Sequence, residues 1–174
     1  MLFLVFCLQQ DGGEAWVAPT TVATIGGLLA TAASIGGQEL AQRWGRRRVI
    51  TVLMLVSALT ALLLGFTAMA SYTVAVAAAL FYMFITLADS AALTAGTVEN
   101  AEPGRRGATL AVYSLGGFGG AFMAPLVMGM VLDLTGGGQT VSSWVAGFAS
   151  LAVAIALGPL LLHLAGRRDG ARGR

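Results

Sequence analysis

Asp89 is the only acidic residue set well inside a long apolar run, and Tyr82, Thr86, Ser90, Thr94 and Thr97 recur around it at helical spacings. At 100° per residue these six side chains fall within an arc of about 140°, one face of a helix whose back is Ala, Leu, Val and Phe. A carboxylate among hydroxyls could take up and release a proton or hold a polar solute. It is costly in hydrocarbon and is by default a functional candidate. At 1.5 Å per residue it lies about 10 Å from the membrane surface at the end of its span. Two readings stay open: a site for proton or solute coupling, or a buried hydrogen-bonding residue that fixes helix packing. The hydroxyls carry the same ambiguity, because Ser and Thr between membrane helices also serve as packing bonds.

A second constellation is basic. In the stretch Gln38–Arg48, four arginines (Arg43, Arg46, Arg47 and Arg48) fall within six positions, with long apolar runs on both sides. An arginine at the centre of a bilayer costs roughly 2.5–3.5 kcal/mol, so this stretch is expected to form a loop at a membrane surface. Arg105 and Arg106 mark a second such surface segment, and Arg167, Arg168, Arg172 and Arg174 a third. His163 is read as a bystander near the interface, either neutral or snorkelling.

Composition places these groups in a membrane. The chain has 174 residues, 57% hydrophobic and only 10% charged, with mean hydropathy +0.82. Soluble domains carry about 25% charged residues. All ten basic residues are arginines and they cluster at the ends of apolar runs, which is a topology signal and argues against a nucleic-acid partner. Cys7 is the sole cysteine, so neither an internal disulfide nor a thiolate metal site is available. One histidine, one cysteine and one central carboxylate supply no catalytic constellation. No enzyme, metal or cofactor is expected.

The elements that must position these residues are five apolar spans, giving an all-α membrane protein. After a stub and outer loop over residues 1–16, the spans are expected at about 17–37, 49–66, 72–97, 108–134 and 145–165, followed by a basic, unstructured tail over 167–174. The first span is rich in Gly, Thr and Ser and should pack inside a bundle. The second, VITVLMLVSALTALLLGF, is apolar all round and should face lipid. The fourth carries Gly120, Pro125 and Gly129, where a bend is expected; this suits a moving element and an ordinary tight bundle alike. Arginines alternate by loop as four, none, two, none and four in the tail. The positive-inside rule then puts every second loop and the C-terminus in the cytoplasm, with Trp16, Tyr72 and Trp144 at the outer interface and Trp44 at the inner one.

At this point the stretch Gln38–Arg48 resembles the signature of the major facilitator superfamily of secondary transporters, G-x-x-x-D-R-x-G-R-R. Arg43, Gly45, Arg46 and Arg47 match in place. Gln42 stands where the family has its acidic residue, and the first glycine comes one position early, as Gly37. The resemblance covers about Trp16 to Ala165 and takes in Ala88–Ala92 and Pro103–Gly107. It implies a cytoplasmic gate built on the arginine segment, whose acidic partner is weakened by Gln42 or replaced by Glu39. It further implies that the five spans are the eighth to twelfth helices of a twelve-helix, two-half transporter. The ninth and twelfth would then be peripheral, and the others would approach a central cavity. The expected partners are the lipid bilayer, a small solute with or without protons, and the absent N-terminal half or a second chain. A bacterial inner membrane is the expected location. The alternative is a structural or regulatory membrane subunit without transport of its own.

Overall fold

The computed structural model describes the backbone of residues 1–172 and the side chains of residues 1–163. The described backbone is helical between short turns: α1 (Leu2–Gln10), α2 (Pro19–Trp44), α3 (Arg46–Phe66), a 3₁₀ turn (Thr67–Met69), α4 (Tyr72–Leu87), α5 (Ser90–Glu99), α6 (Arg106–Leu134) and α7 (Val141–Arg172). Five helical stretches are long and apolar enough to cross a bilayer; α4 and α5 together make the third.

The arginine segment differs from expectation. Where a loop was expected over Gln38–Arg48, α2 runs on to Trp44 and α3 begins at Arg46, so that Gly45 alone connects them. Gln, Glu, Leu, Ala and Arg are strong helix formers, and a helix leaving the bilayer has no reason to stop at the hydrocarbon boundary. The reversal is concentrated at Gly45, whose φ of 91° is open to glycine and strained for other residues. The last helix likewise starts four residues before its expected position. Thr140 accepts a hydrogen bond from the Ser143 N–H at 3.3 Å, the pattern of an N-cap. Its backbone stays helical through Arg172, past the expected end at 165 and into the expected tail, where Ala and Arg again favour helix. The tail's side chains lie outside the described residues, as do Gly173 and Arg174.

Small residues govern the packing. Gly26, Ala30, Ala33, Gly37 and Ala41 form the buried stripe of α2. On α3, Ser57, Ala58, Ala61 and Gly65 are buried, and Gly65 lies so close to α7 that an added Cβ would stand 2.8 Å from the Val145 Cα. The second span is therefore two-sided. One face packs on α2, α4 and α7, and the other exposes Val52, Leu55, Leu59, Leu63 and Phe66. An all-apolar sequence does not distinguish protein neighbours from lipid; the small residues do. At the opposite extreme, no residue of α6 is buried, although that helix touches α5 and α7.

One end of the bundle is closed by aromatic and polar contacts. Phe3 stands edge-on to Trp144 and Phe148, with centroids 5.3 and 4.9 Å away. The Trp16 indole N–H donates to Thr73 at 3.2 Å, and the Tyr72 hydroxyl to the Val17 carbonyl at 2.9 Å. Trp16, Tyr72 and Trp144 thus share this end. Arg46, Arg47 and Glu99 gather at the other.

Candidate functional site

Asp89 sits at an interruption. The third span is expected as one helix; instead α4 stops at Leu87, Ala88 and Asp89 form a turn, and α5 starts at Ser90. The Ala88 N–H donates to the Ile85 carbonyl at 3.3 Å, a tightened i−3 bond, and the Leu93 N–H donates to the Asp89 carbonyl at 2.9 Å. Helix α2 crosses here. The Ser34 hydroxyl accepts a hydrogen bond from the Ala91 N–H at 3.2 Å, satisfying a donor at the start of α5. One turn along α2, a Cβ built on Gly37 would stand 1.7 Å from the Ala88 carbonyl oxygen. Only glycine permits the crossing. The half-buried Asp89 carboxylate accepts no side-chain or cap hydrogen bond among the described residues.

The hydroxyls grouped with Asp89 in the sequence are not held together. Thr86 turns to α3, where its hydroxyl lies 3.2 Å from that of the buried Ser57. Tyr82 lies in an apolar pocket of about 320 Å³ with Val22, Met83 and Phe148, toward the aromatic end. Thr94 donates to the Ser90 carbonyl at 3.0 Å and lies 3.3 Å from the Tyr113 hydroxyl of α6. Thr97 closes on the Leu93 carbonyl. The arc of about 140° is real as helix geometry, but the turn and the neighbours divide it. Asp89 and Ser90 remain adjacent, with Thr94 one turn on. Sequence reading missed Ser34, Ser57 and Tyr113. Each meets its partner on another helix, which spacing within one span does not reveal.

At the charged end each arginine has its own environment. Arg43 pairs with Glu39 one turn earlier, at 2.5 Å, with both side chains exposed. Arg46 reaches across to α5 and holds Glu99 with both terminal nitrogens, at 2.6 and 2.9 Å. Gly96 makes room for it: a Cβ there would stand 2.9 Å from the Arg46 Cδ. Arg47 donates to the carbonyls of Leu162 and His163 on α7, at 2.9 and 3.4 Å. Gln42 is exposed. Glu39 therefore does pair with an arginine, but within its own helix. The pairing between helices is made by Glu99 of α5. Gly120, Pro125 and Gly129 lie within α6, which stays helical throughout. Glycines 116, 117, 119 and 120 face open space.

A bundle of five apolar helices, with its arginines at helix ends, defines an integral, multi-pass membrane protein. Residues 15–173 match the family model of the Major Facilitator Superfamily, and the chain belongs to that family. No curated protein and no solved structure matches it. Members of this family carry small solutes across membranes and are not enzymes, which places the chain in the transporter class.

Proposed function

We propose that the chain is one helical half of a secondary transporter that moves a small solute by alternating access, driven by an ion gradient, with protons as the coupling ion. Helices α2, α3, α4–α5, α6 and α7 take the eighth to twelfth positions of such a protein. The other half lies elsewhere on the same gene product or on a second chain. The reading rests chiefly on Asp89, a half-buried carboxylate without a side-chain partner among the described residues, at a helix interruption in mid-span. The exposed flank of α6 supports it, because four glycines with open space beside them suit the close approach of another helix. Asp89 carries the coupling, Ser90 and Thr94 line the path beside it, and Thr86 and Tyr82 contribute through packing. Arg46 with Glu99 forms the gate at the arginine end, aided by Arg43, Glu39 and Arg47 around Gly45. Gln42 leaves the signature's acidic place uncharged, and Glu99 supplies the missing carboxylate across the helix pair. Charge alternation puts the arginine end and the C-terminus in the cytoplasm of a bacterial inner membrane.

The test is uptake into proteoliposomes holding the complete transporter, with an imposed pH gradient and a panel of small solutes. Gradient-dependent accumulation of one solute, lost in Asp89→Asn at equal protein incorporation, is the expected result. No accumulation of any solute in either direction would favour a structural or regulatory subunit.

A further inference from the structure

We propose that the reversal between α2 and α3 binds one anionic phospholipid of the leaflet at the arginine end. A groove of about 500 Å³ lies there, lined by Leu40 and Trp44 of α2 and by Arg48, Val49, Val52 and Leu53 of α3. Among the described residues its single cation is Arg48. Of the four arginines around Gly45, three are engaged: Arg43 by Glu39, Arg46 by Glu99, and Arg47 by carbonyls of α7. Arg48 forms no ion pair or hydrogen bond among the described residues, and neither does the exposed indole N–H of Trp44. A guanidinium and an indole N–H above apolar walls complement a phosphate ester with its acyl chains below. Arginine holds phosphate oxygens with two N–H groups, and tryptophan settles at the glycerol level of a bilayer.

The groove also leads into lipid. Val52 lies on its wall and begins the exposed stripe of α3, which continues through Leu55, Leu59, Leu63 and Phe66 to the far end of the helix. An acyl chain leaving the groove therefore follows apolar side chains across the span. Charge selects the headgroup and the stripe selects the chain. A free phosphate ion would use the first and gain nothing from the second.

The purified full chain, titrated in detergent with dioleoyl phosphatidylglycerol or dioleoyl phosphatidylcholine and examined by native mass spectrometry, tests this. One phosphatidylglycerol should be retained in preference by about fivefold, the ratio expected for one arginine at an anionic surface. Arg48→Gln should erase the preference and Arg105→Gln should keep it. In bilayers, dibrominated phosphatidylglycerol should quench a component of the emission that Trp44→Phe removes. Glycerophosphoglycerol, the headgroup without chains, should not displace the lipid. Equal retention of phosphatidylcholine by the unmutated chain would overturn the proposal. So would an unchanged preference in Arg48→Gln, or competition by the chainless headgroup. Trp44 emission untouched by brominated lipid would overturn it too, since a protein helix filling the groove would give that result.

Discussion

The guanidinium of Arg46 grips both carboxylate oxygens of Glu99, Nη1 to Oε2 at 2.6 Å and Nη2 to Oε1 at 2.9 Å, and so ties the first turn of α3 to the last turn of α5. This fork requires arginine, because a lysine ammonium is a point donor and cannot match two oxygens in a plane. Glu99→Gln should loosen the last turn of α5. Amide exchange over residues 96–100 should speed up several-fold, with α2 unchanged. Arg46→Lys should behave like Arg46→Gln, and adding Glu99→Gln to either should have no further effect. Independent, additive effects of the two changes would show that the pair is not a unit.

Gly37 and Ala88 give a sharper expectation. A methyl on Gly37 would overlap the Ala88 carbonyl oxygen at 1.7 Å, and backbone has no flexible end to move aside. Gly37→Ala should therefore cost about 1–3 kcal/mol, the usual range for overpacking. Gly36 is the control, since a Cβ there meets nothing within 4 Å. Gly36→Ala should be neutral or slightly stabilising, by up to about 1 kcal/mol. Thermal melts of the two variants in one detergent decide the matter.

The aromatic end supplies a third prediction. Asp11 Oδ2 accepts a hydrogen bond from the Tyr72 N–H at 2.8 Å, capping α4 from a segment 61 residues away, while Ser71 makes no side-chain cap. Asp11→Ala should cost about 1 kcal/mol, the typical worth of an N-cap, and Asp11→Asn much less. Equal melting temperatures for Asp11→Ala and the unchanged chain would remove the cap from the account.

Much of this arrangement was legible from residue types. Apolar runs of about 20 residues, separated in turn by arginine segments and short uncharged turns, set the number of spans, because the hydrocarbon core sets their length. Four of the expected spans correspond to single helices and one to a pair. The interruption at Ala88–Asp89 was not legible, because the groups that meet it lie on another helix: Gly37 and Ser34 approach there, and nothing between Tyr72 and Thr97 announces them. The one-residue reversal at Gly45 was hidden for a related reason. Charge density predicts where a chain leaves the bilayer and says nothing about whether it leaves as helix. The Arg46–Glu99 pair joins residues 53 apart. The spacing around Gly45 draws attention to the arginine segment, whereas the partner that Arg46 takes depends on how α5 packs beside α3.

Thr86 and Thr94 distinguish packing from the proposed path. Thr86 shares a bond with the buried Ser57, the kind that contributes about 0.6 kcal/mol between membrane helices. Thr86→Val should lower stability by that order and leave transport rates intact. Thr94 is exposed beside Tyr113 of α6, so Thr94→Val should change the apparent KM for solute with little change in melting temperature. A transport defect in Thr86→Val at full stability would reverse the assignment of the two hydroxyls.

Asp89 carries the proposed coupling, and two substitutions test it. Asparagine keeps its size and its capacity for hydrogen bonding but removes its charge and its exchangeable carboxyl proton. If the carboxylate couples a gradient to solute movement, Asp89→Asn should abolish accumulation driven by an imposed pH gradient while expression and melting temperature stay near those of the unchanged protein. If instead it only fixes the crossing of α2 with α4–α5, the same substitution should preserve the geometry and the accumulation. Asp89→Ala should then be the damaging variant, acting through stability. Comparing Asp89→Asn and Asp89→Ala in the same proteoliposomes distinguishes the two roles, because coupling follows the charge and packing follows the hydrogen bonds. Full gradient-driven accumulation in Asp89→Asn would take Asp89 out of the mechanism.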